Sequence, residues 1–150
     1  TVTGRLDLPS GPVAVTGQGW LDREWSSQPL AGDQSGWDWV SLQFDDGHRM
    51  MGFQLRGGQT FTSGTWITPE GQATPLPDGA VQFTPLRHTR LNGRDVPTHW
   101  QIDWPEGGLS ITTEPLNPRS WMDLSVQYGE VPLKFTGSHS GRGYLEMTGY

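Results

Sequence analysis

The segment 20–25 combines side chains that could carry out acid chemistry beside aromatic rings. Trp20 and Trp25 flank a carboxylate, a guanidinium and a second carboxylate, at Asp22, Arg23 and Glu24. In a β-strand, Trp20, Asp22 and Glu24 would share one face. A carboxyl group that aromatic rings shield from water has a raised pKa and can serve as a general acid. These residues are therefore the first candidates for a catalytic site.

An ion pair is the alternative role for the same carboxylates. Arg23, or Arg142 from the last part of the chain, could pair with Asp22 or Glu24, because structural ion pairs also place charges near aromatic residues. The residue pattern leaves both roles open. It slightly favours the ion pair at Asp22, because two arginines are available as partners.

The segment 137–150 is the second candidate for chemistry. Glycines surround His139 and Arg142, and the alternation of a strand would place Tyr144, Glu146 and Tyr150 on one face. Tyr144 and Glu146 are therefore further catalytic candidates, as part of a polar cluster that faces a cavity. The equal alternative is a barrel-closing strand in which Arg142 bridges to the first segment.

Aromatic residues along the chain are candidates for the wall of an apolar ligand site. Trp121 and Asp123 repeat the spacing of an aromatic residue and a carboxylate two positions apart. Asp38 is expected either at the mouth of a barrel or as a buried acid, and the pattern favours the mouth. The predicted ligand-binding residues are Trp20, Trp25, Trp39, Phe53, Trp66, Trp121 and Arg142.

Composition argues against several functional classes. The net charge of −6, with scattered basic residues, does not suit a nucleic-acid surface. The chain contains no Cys, and its four His residues lack the spacing of metal ligands, so we predict no metal and no cofactor. No apolar run approaches the roughly twenty residues that span a bilayer, and no signal-peptide pattern opens the chain.

The elements that would position these residues are short β-strands. Alternating residues, Asp-Gly and Asn-Gly turns, 21 Gly and 12 Pro predict about eight to ten antiparallel strands in one domain over residues 1–150. Hairpins between neighbouring strands favour an all-β, up-and-down barrel, which removes exposed sheet edges. Residues 13–25 are expected to form one long strand, and residues 26–36 a loop.

Five motifs together resemble the carotenoid 1,2-hydratase / hydroxyneurosporene synthase-like superfamily. They are Gly-x-Gly-Trp-Leu-Asp-Arg-Glu-Trp, Gly-Trp-Asp-Trp-Val-Ser-Leu-Gln, Gly-Thr-Trp-Ile, Asn-Pro-Arg-Ser-Trp-Met-Asp-Leu-Ser and Gly-Arg-Gly-Tyr-Leu-Glu-Met-Thr-Gly-Tyr. The resemblance covers residues 15–150. It implies a lipocalin-like barrel, the second of two in longer relatives, and a periplasmic or secreted location. It also implies that Asp22, in the motif Trp20-Leu21-Asp22, is the acid that protonates a carbon–carbon double bond. The sequence departs from the family with Trp at position 20 in place of Tyr, and with Gly129 and Val131 in Tyr-Gly-Glu-Val.

These observations lead to three alternative functions. The first is a monomeric barrel that binds an apolar or polyene-like small molecule in an aromatic-lined cavity. The second is an enzyme for acid-assisted hydration or cyclisation of an alkene, with Asp22 as the acid. The third is an isolated barrel scaffold without a ligand. A preceding homologous barrel is a further partner that the resemblance implies.

Overall fold

The computed structural model of the chain is all-β and describes residues 1–25, 27 and 30–150. One 3-10 turn, Pro105–Gly107, interrupts the strands, and no helix among the described residues is long and apolar enough to cross a bilayer. The strands are β1 Val2–Leu8, β2 Gly11–Gly17, β3 Gln34–Phe44, β4 Arg49–Gly57, β5 Phe61–Ile67, β6 Ala73–Leu76, β7 Gln82–Leu91, β8 Arg94–Trp104, β9 Leu109–Pro115, β10 Trp121–Asp123, β11 Gln127–Gly137 and β12 Gly141–Thr148.

Strands β3 to β12 form one curled antiparallel sheet with up-and-down connections. The order of the sheet is β6-β5-β4-β3-β12-β11-β9-β8-β7, and the short β10 pairs with β11. Most chain neighbours therefore lie side by side, and the pairing of β3 with β12 joins the two ends of the meander. The lipocalin-like barrel predicted from the sequence is confirmed. Its seam lies between β6 and β7, which are consecutive in the chain.

Apolar side chains fill the inside of the curled sheet. Alternation sends Val40, Leu42 and Phe44 of β3 inward, and the same holds for the other strands. Trp100 on β8 is 2% exposed and lies among these residues. The remaining core residues include Met50, Phe83, Ile102, Ile111, Leu133, Phe135, Leu145 and Met147. A ligand would have to displace this core to occupy the barrel interior.

The first two strands form a separate two-stranded hairpin. Its register pairs Leu6 with Val13 and Gly4 with Val15, so the aliphatic side chains share one face. Leu6 is 51% exposed and Val13 is 42% exposed. The hairpin thus presents an apolar face to solvent beside the barrel.

The prediction of one long strand over residues 13–25 is wrong beyond Gly17. β2 ends at Gly17, and residues 18–25 have no strand pairing. The reason is that β3 already pairs with β4 and β12 on its two sides, so this segment finds no free strand edge there. The loop predicted over residues 26–36 includes Ser26, Gln28 and Pro29, which lie outside the described residues, and β3 begins within it.

Asp38 is a buried acid, which is the alternative to the mouth position that the sequence favoured. It is 0% exposed, and it accepts hydrogen bonds from Arg56 Nε at 3.0 Å, Gln54 Nε2 at 3.0 Å and the Tyr150 hydroxyl at 2.8 Å. The Arg56 guanidinium also lies over the Tyr150 ring, 4.0 Å from its centroid, and donates to the Thr148 carbonyl oxygen. Burial raises the pKa of Asp38, and the charge of Arg56 opposes that effect. Three donors satisfy the carboxylate, which is why it can be buried.

We expect Arg56→Met to destabilise the protein by about 3–5 kcal/mol, because it leaves the Asp38 carboxylate buried without its cation. The free energy of unfolding in urea measures the loss. Arg5→Met is the matched control, since Arg5 pairs with Asp7 at 3.1 Å on the exposed hairpin. A loss for Arg56→Met no larger than that of Arg5→Met would contradict a stabilising role for the buried pair.

Candidate functional site

The outward-facing side chains of the strands around β3 bring several predicted site residues together. Consecutive pairings across five strands place one residue of each strand directly beside the next. This row runs Glu130, Glu146, Trp39, Phe53 and Ser63. Alternation places it on the opposite side of the sheet from the apolar core. We call this surface the outer face.

Residues 18–25 cross the outer face and divide it into two depressions. Trp20 meets Trp39 edge to face, with 6.3 Å between ring centroids. Trp39 lines the depressions on both sides of this contact. The two indoles thus form the wall between the depressions, and this contact holds the segment against the sheet.

The first depression, which we call the acidic cleft, has a volume of about 450 Å³. Apolar and aromatic side chains form its floor, and charged residues of the crossing segment stand at its edge. Its lining residues are Asp22, Arg23, Glu24, Trp37, Trp39, Met51, Phe53, Ser63 and Glu146. The cleft therefore combines an aromatic surface with three carboxyl groups.

The second depression lies on the other side of Trp20 and has a volume of about 420 Å³. Trp20, Trp39, Arg142 and Tyr144 line it, together with Leu116 and neighbouring residues. We call it the tyrosine cavity. Its lining carries one exposed cation, at Arg142, and no carboxylate.

A compact group of titratable side chains lies between the two depressions. Glu146 accepts a hydrogen bond from the Trp37 indole nitrogen at 2.7 Å, and the Trp37 ring contacts Tyr128 at 5.8 Å between centroids. Glu130 lies directly opposite Glu146 in the β11–β12 register. The Tyr144 hydroxyl is in hydrogen-bonding reach of Glu130.

The surroundings of Glu130, Tyr144 and Tyr128 raise the pKa of each of these three groups. Burial raises the pKa of Glu130; the hydrogen bond from Tyr144 opposes that effect, and the charge of Glu146 adds to it. Burial and the bond to Glu130 raise the pKa of Tyr144 to about 12. Burial also raises the pKa of Tyr128, with contributions from Glu146, Glu130 and Glu24.

The predicted site residues separate into those on the outer face and those elsewhere. Trp25 is 78% exposed with the Arg23 guanidinium 4.7 Å from its ring centroid, and it lines neither depression. Trp66 lies inside one barrel end, against Phe44, His48 and Trp104. Trp121 packs beside Gly129 and the core. The outer face holds Trp20, Asp22, Glu24, Trp39, Phe53, Arg142, Tyr144 and Glu146.

The ion pair that the sequence slightly favoured at Asp22 is not seen. Asp22 is exposed at the edge of the acidic cleft, and among the described residues no ion pair joins it to Arg23 or Arg142. The described part of the chain also contains no group of three His, Cys, Asp or Glu residues that could hold a metal ion.

Sequence reasoning missed Trp37, Tyr128 and Glu130. Trp37 and Trp39 alternate on the same side of β3, and Tyr128 and Glu130 do so on β11, so a shared face was visible within each strand. Only the pairing of β12 between these strands shows that the faces are continuous.

Comparisons with known proteins agree with this fold. A model of the AttH-like family matches residues 1–150. A solved structure that carries the name AttH, from Nitrosomonas europaea, is 31% identical with a TM-score of 0.89, over 99% of this chain and 49% of that one. Kievitone hydratase from Nectria haematococca has a TM-score of 0.80 at 17% identity, over 97% of this chain and 49% of its own, and shows the fold alone. No curated protein matches the chain. The chain thus spans about half the length of both solved structures.

We expect Asp22→Asn to change the free energy of unfolding by no more than about 0.5 kcal/mol at pH 7 and at pH 4, because an exposed carboxylate without an ion pair contributes little. Thermal and urea unfolding at both pH values measure the change. Asp38→Asn is the matched variant at a buried pair, and we expect it to lose on the order of 3 kcal/mol at pH 7. A loss of unfolding free energy in Asp22→Asn as large as that in Asp38→Asn would contradict this expectation and would indicate a stabilising ion pair at Asp22.

Proposed function

Because the chain belongs to the AttH-like family and folds as a lipocalin-like barrel, we propose that it binds an apolar small molecule, and that the ligand lies in the acidic cleft of the outer face. The observation that carries the proposal is the composition of this cleft. Trp37, Trp39, Met51 and Phe53 give an apolar surface of several adjoining side chains in a depression of about 450 Å³. Small-molecule sites are commonly depressions of this size with apolar walls and a few polar groups.

The filled barrel interior supports the outer face as the place of binding. Val40 and Leu42 are 0% exposed on the inner side of β3, whereas Trp39 on the same strand turns outward and is half-buried. An internal site would require the loss of core packing, which costs several kcal/mol for each large side chain displaced. Binding against Trp39 and Phe53 requires no such change.

The charges of the cleft favour a neutral ligand. Asp22, Glu24 and Glu146 line it, and Arg23 is the cation among its lining residues. An anionic ligand such as a fatty acid would meet repulsion from three carboxyl groups. Burying about 200 Å² of apolar ligand surface would contribute about 5 kcal/mol before the costs of association. A neutral polyene or terpenoid is therefore the ligand class that we propose.

We expect all-trans retinol, a neutral polyene, to quench the tryptophan fluorescence on binding, and Trp39→Ala to weaken the affinity about tenfold or more. The physical reason is that Trp39 contributes apolar area to the cleft and supports the crossing segment through Trp20. Fluorescence titration measures the dissociation constants.

Two controls make the titration specific. Leu86→Ala removes an apolar side chain that is 52% exposed on β7, outside both depressions, and should leave the retinol affinity unchanged. Retinoic acid should bind more weakly than retinol, because it carries a carboxylate into an acidic site. Equal affinities of wild type and Trp39→Ala for retinol would refute binding at this cleft.

Acid-assisted hydration of an alkene is a second candidate, which we propose from the position of Glu146. Its carboxyl group is half-buried beside Trp39 and Phe53, where aromatic faces could stabilise a developing cation. A proton from the carboxyl would form the new C–H bond, water would form the C–O bond, and the proton released from that water would return to the carboxylate. Asp22, the acid that the family resemblance implies, is more exposed to solvent.

We expect any hydration of an acyclic polyene such as lycopene to fall about 10²–10⁴-fold in Glu146→Gln, the range for loss of a proton-transfer group. Asp22→Asn should retain most of the turnover if Glu146 is the acid. Mass spectrometry of the product formed in ¹⁸O-labelled water measures the addition. Loss of turnover in Asp22→Asn with full activity in Glu146→Gln would assign the acid to Asp22.

We also propose a periplasmic or secreted location and a monomeric state.

A further inference from the structure

We propose that the tyrosine cavity binds the carboxylate of a small organic acid with an apolar body, and that Arg142 is the cation that recognises it. The cavity is separate from the proposed ligand site, because the contact between Trp20 and Trp39 stands between it and the acidic cleft. The two sites also differ in charge, since three carboxyl groups line the acidic cleft and none lines the tyrosine cavity. An anionic ligand would therefore bind in the tyrosine cavity, apart from the neutral ligand proposed for the acidic cleft.

Strand register brings three hydrogen-bond donors together in the lining of this cavity. Arg142 on β12 is the Cα partner of Gln43 on β3. Ser41 lies two positions before Gln43, on the same side of β3. All three line the tyrosine cavity, and Lys134, the partner of Arg142 on β11, lines the depression next to it. Because the Cβ atoms of cross-strand partners lie about 4.5–5.5 Å apart, the Gln43 and Lys134 side chains reach a group bound at Arg142.

The donors of the cavity have no acceptor in the described part of the chain. Ser41 is 2% exposed, and its hydroxyl makes no hydrogen bond among the described residues. The side-chain amide of Gln43 and the Arg142 guanidinium also make none there, and Arg142 forms no ion pair with a described residue. A buried hydroxyl is unfavourable without a partner. A carboxylate bound beside Arg142 would give acceptors to all three side chains.

The single positive charge of the cavity favours a monocarboxylate. Among the described residues that line it, Arg142 alone is charged. Two carboxylates lie beyond it. Glu114 is the partner of Lys134 on the side away from Arg142, and Asp45, in the neighbouring depression, accepts a hydrogen bond from the Ser140 hydroxyl at 2.6 Å. A dianion such as a phosphate ester would therefore leave one of its charges without a cation in the cavity.

The other walls of the cavity suit an apolar chain. Trp20, Trp39 and Leu116 line it, and Leu116, which is 62% exposed, also lines the neighbouring depression. The Leu116 backbone N–H donates to the Pro132 carbonyl oxygen at 2.9 Å, which fixes its position. A chain that covers Leu116 removes apolar surface from water, and a cavity of about 420 Å³ has the size of a small-molecule site. A medium-chain fatty acid has both the charge and the chain, so octanoate is the probe.

A nuclear magnetic resonance titration of the intact chain with octanoate tests the site, and octan-1-ol is the neutral match. The Trp20 indole N–H reports the tyrosine cavity, whereas the Trp37 indole N–H reports the acidic cleft. Trp20→Phe and Trp37→Phe identify the two signals. We expect octanoate to shift the signals of Trp20 and of the Gln43 side-chain amide and to leave that of Trp37 unchanged. Octan-1-ol should bind at Trp20 more weakly than octanoate, because it cannot pair with Arg142.

Arg142→Gln should weaken octanoate binding about tenfold or more, because a hydrogen bond between charged groups is lost. Arg142→Lys should restore part of the affinity, since it keeps the charge without the planar donors of arginine. Arg90→Gln is the matched control. It removes the same charge from an exposed position on β7, outside both depressions beside Arg142, and should leave octanoate affinity unchanged. Equal octanoate affinities of wild type and Arg142→Gln, or shifts at Trp37 in place of Trp20, would overturn the inference.

Octanoate and retinol separate this site from the proposed site in the acidic cleft. Retinol binding without octanoate binding would overturn the carboxylate site alone. Octanoate binding at Trp20 without retinol binding would support the carboxylate site and overturn the proposed site in the acidic cleft. Because retinoic acid also carries a carboxylate, it is compared with retinol in Arg142→Gln as well, where the tyrosine cavity has lost its cation.

Discussion

The pairing of β3 with β12 is the contact on which both the barrel and the outer face depend. It joins the first and last strands of the ten-stranded sheet, which curls the meander around the core. The same pairing sets Glu146 beside Trp39, with Glu130 and Phe53 on the outer sides of that pair. A shift of one residue in this register would turn the outward carboxyl and indole groups into the core.

The two sides of β3 have separate physical roles. The inner side carries Val40 and Leu42 in the core and Asp38 in a fully bonded cluster at one end. The outer side carries Trp37 and Trp39, which meet carboxyl groups and the crossing segment. A barrel whose interior is filled by its own side chains can bind a ligand without repacking only on its outside, and the aromatic residues of β3 are placed there.

The buried carboxyl group of Asp38 and the half-buried ones of Glu130 and Glu146 have different hydrogen-bond and charge partners. Asp38 has an arginine, an amide and a phenol as donors, so its charge is compensated inside the barrel. Among the described residues, no arginine forms an ion pair with Glu130 or Glu146, which face phenols, indoles and each other. Burial raises the pKa of both Asp38 and Glu130, but only at Asp38 does the charge of an arginine oppose that effect.

Local patterns in the sequence determined the fold class and pointed to many of the candidate site residues, and tertiary pairing determined how these residues meet. Alternation and Asp-Gly turns have a period and a range of a few residues, so strands such as Trp37 to Phe44 and their hairpins could be predicted. The sequence could select Trp39, Tyr144 and Glu146 as site candidates. A large aromatic side chain is unfavourable in water, and a polar one is unfavourable when it is buried without a partner. Three features could not be predicted from local patterns: the side of the sheet on which these residues lie, the end of the long strand at Gly17, and the burial of Asp38 against Arg56. Each of them depends on which strands pair with one another in the folded sheet. The opposition of Glu130 and Glu146 likewise exists only in the register of two strands, which no local pattern specifies.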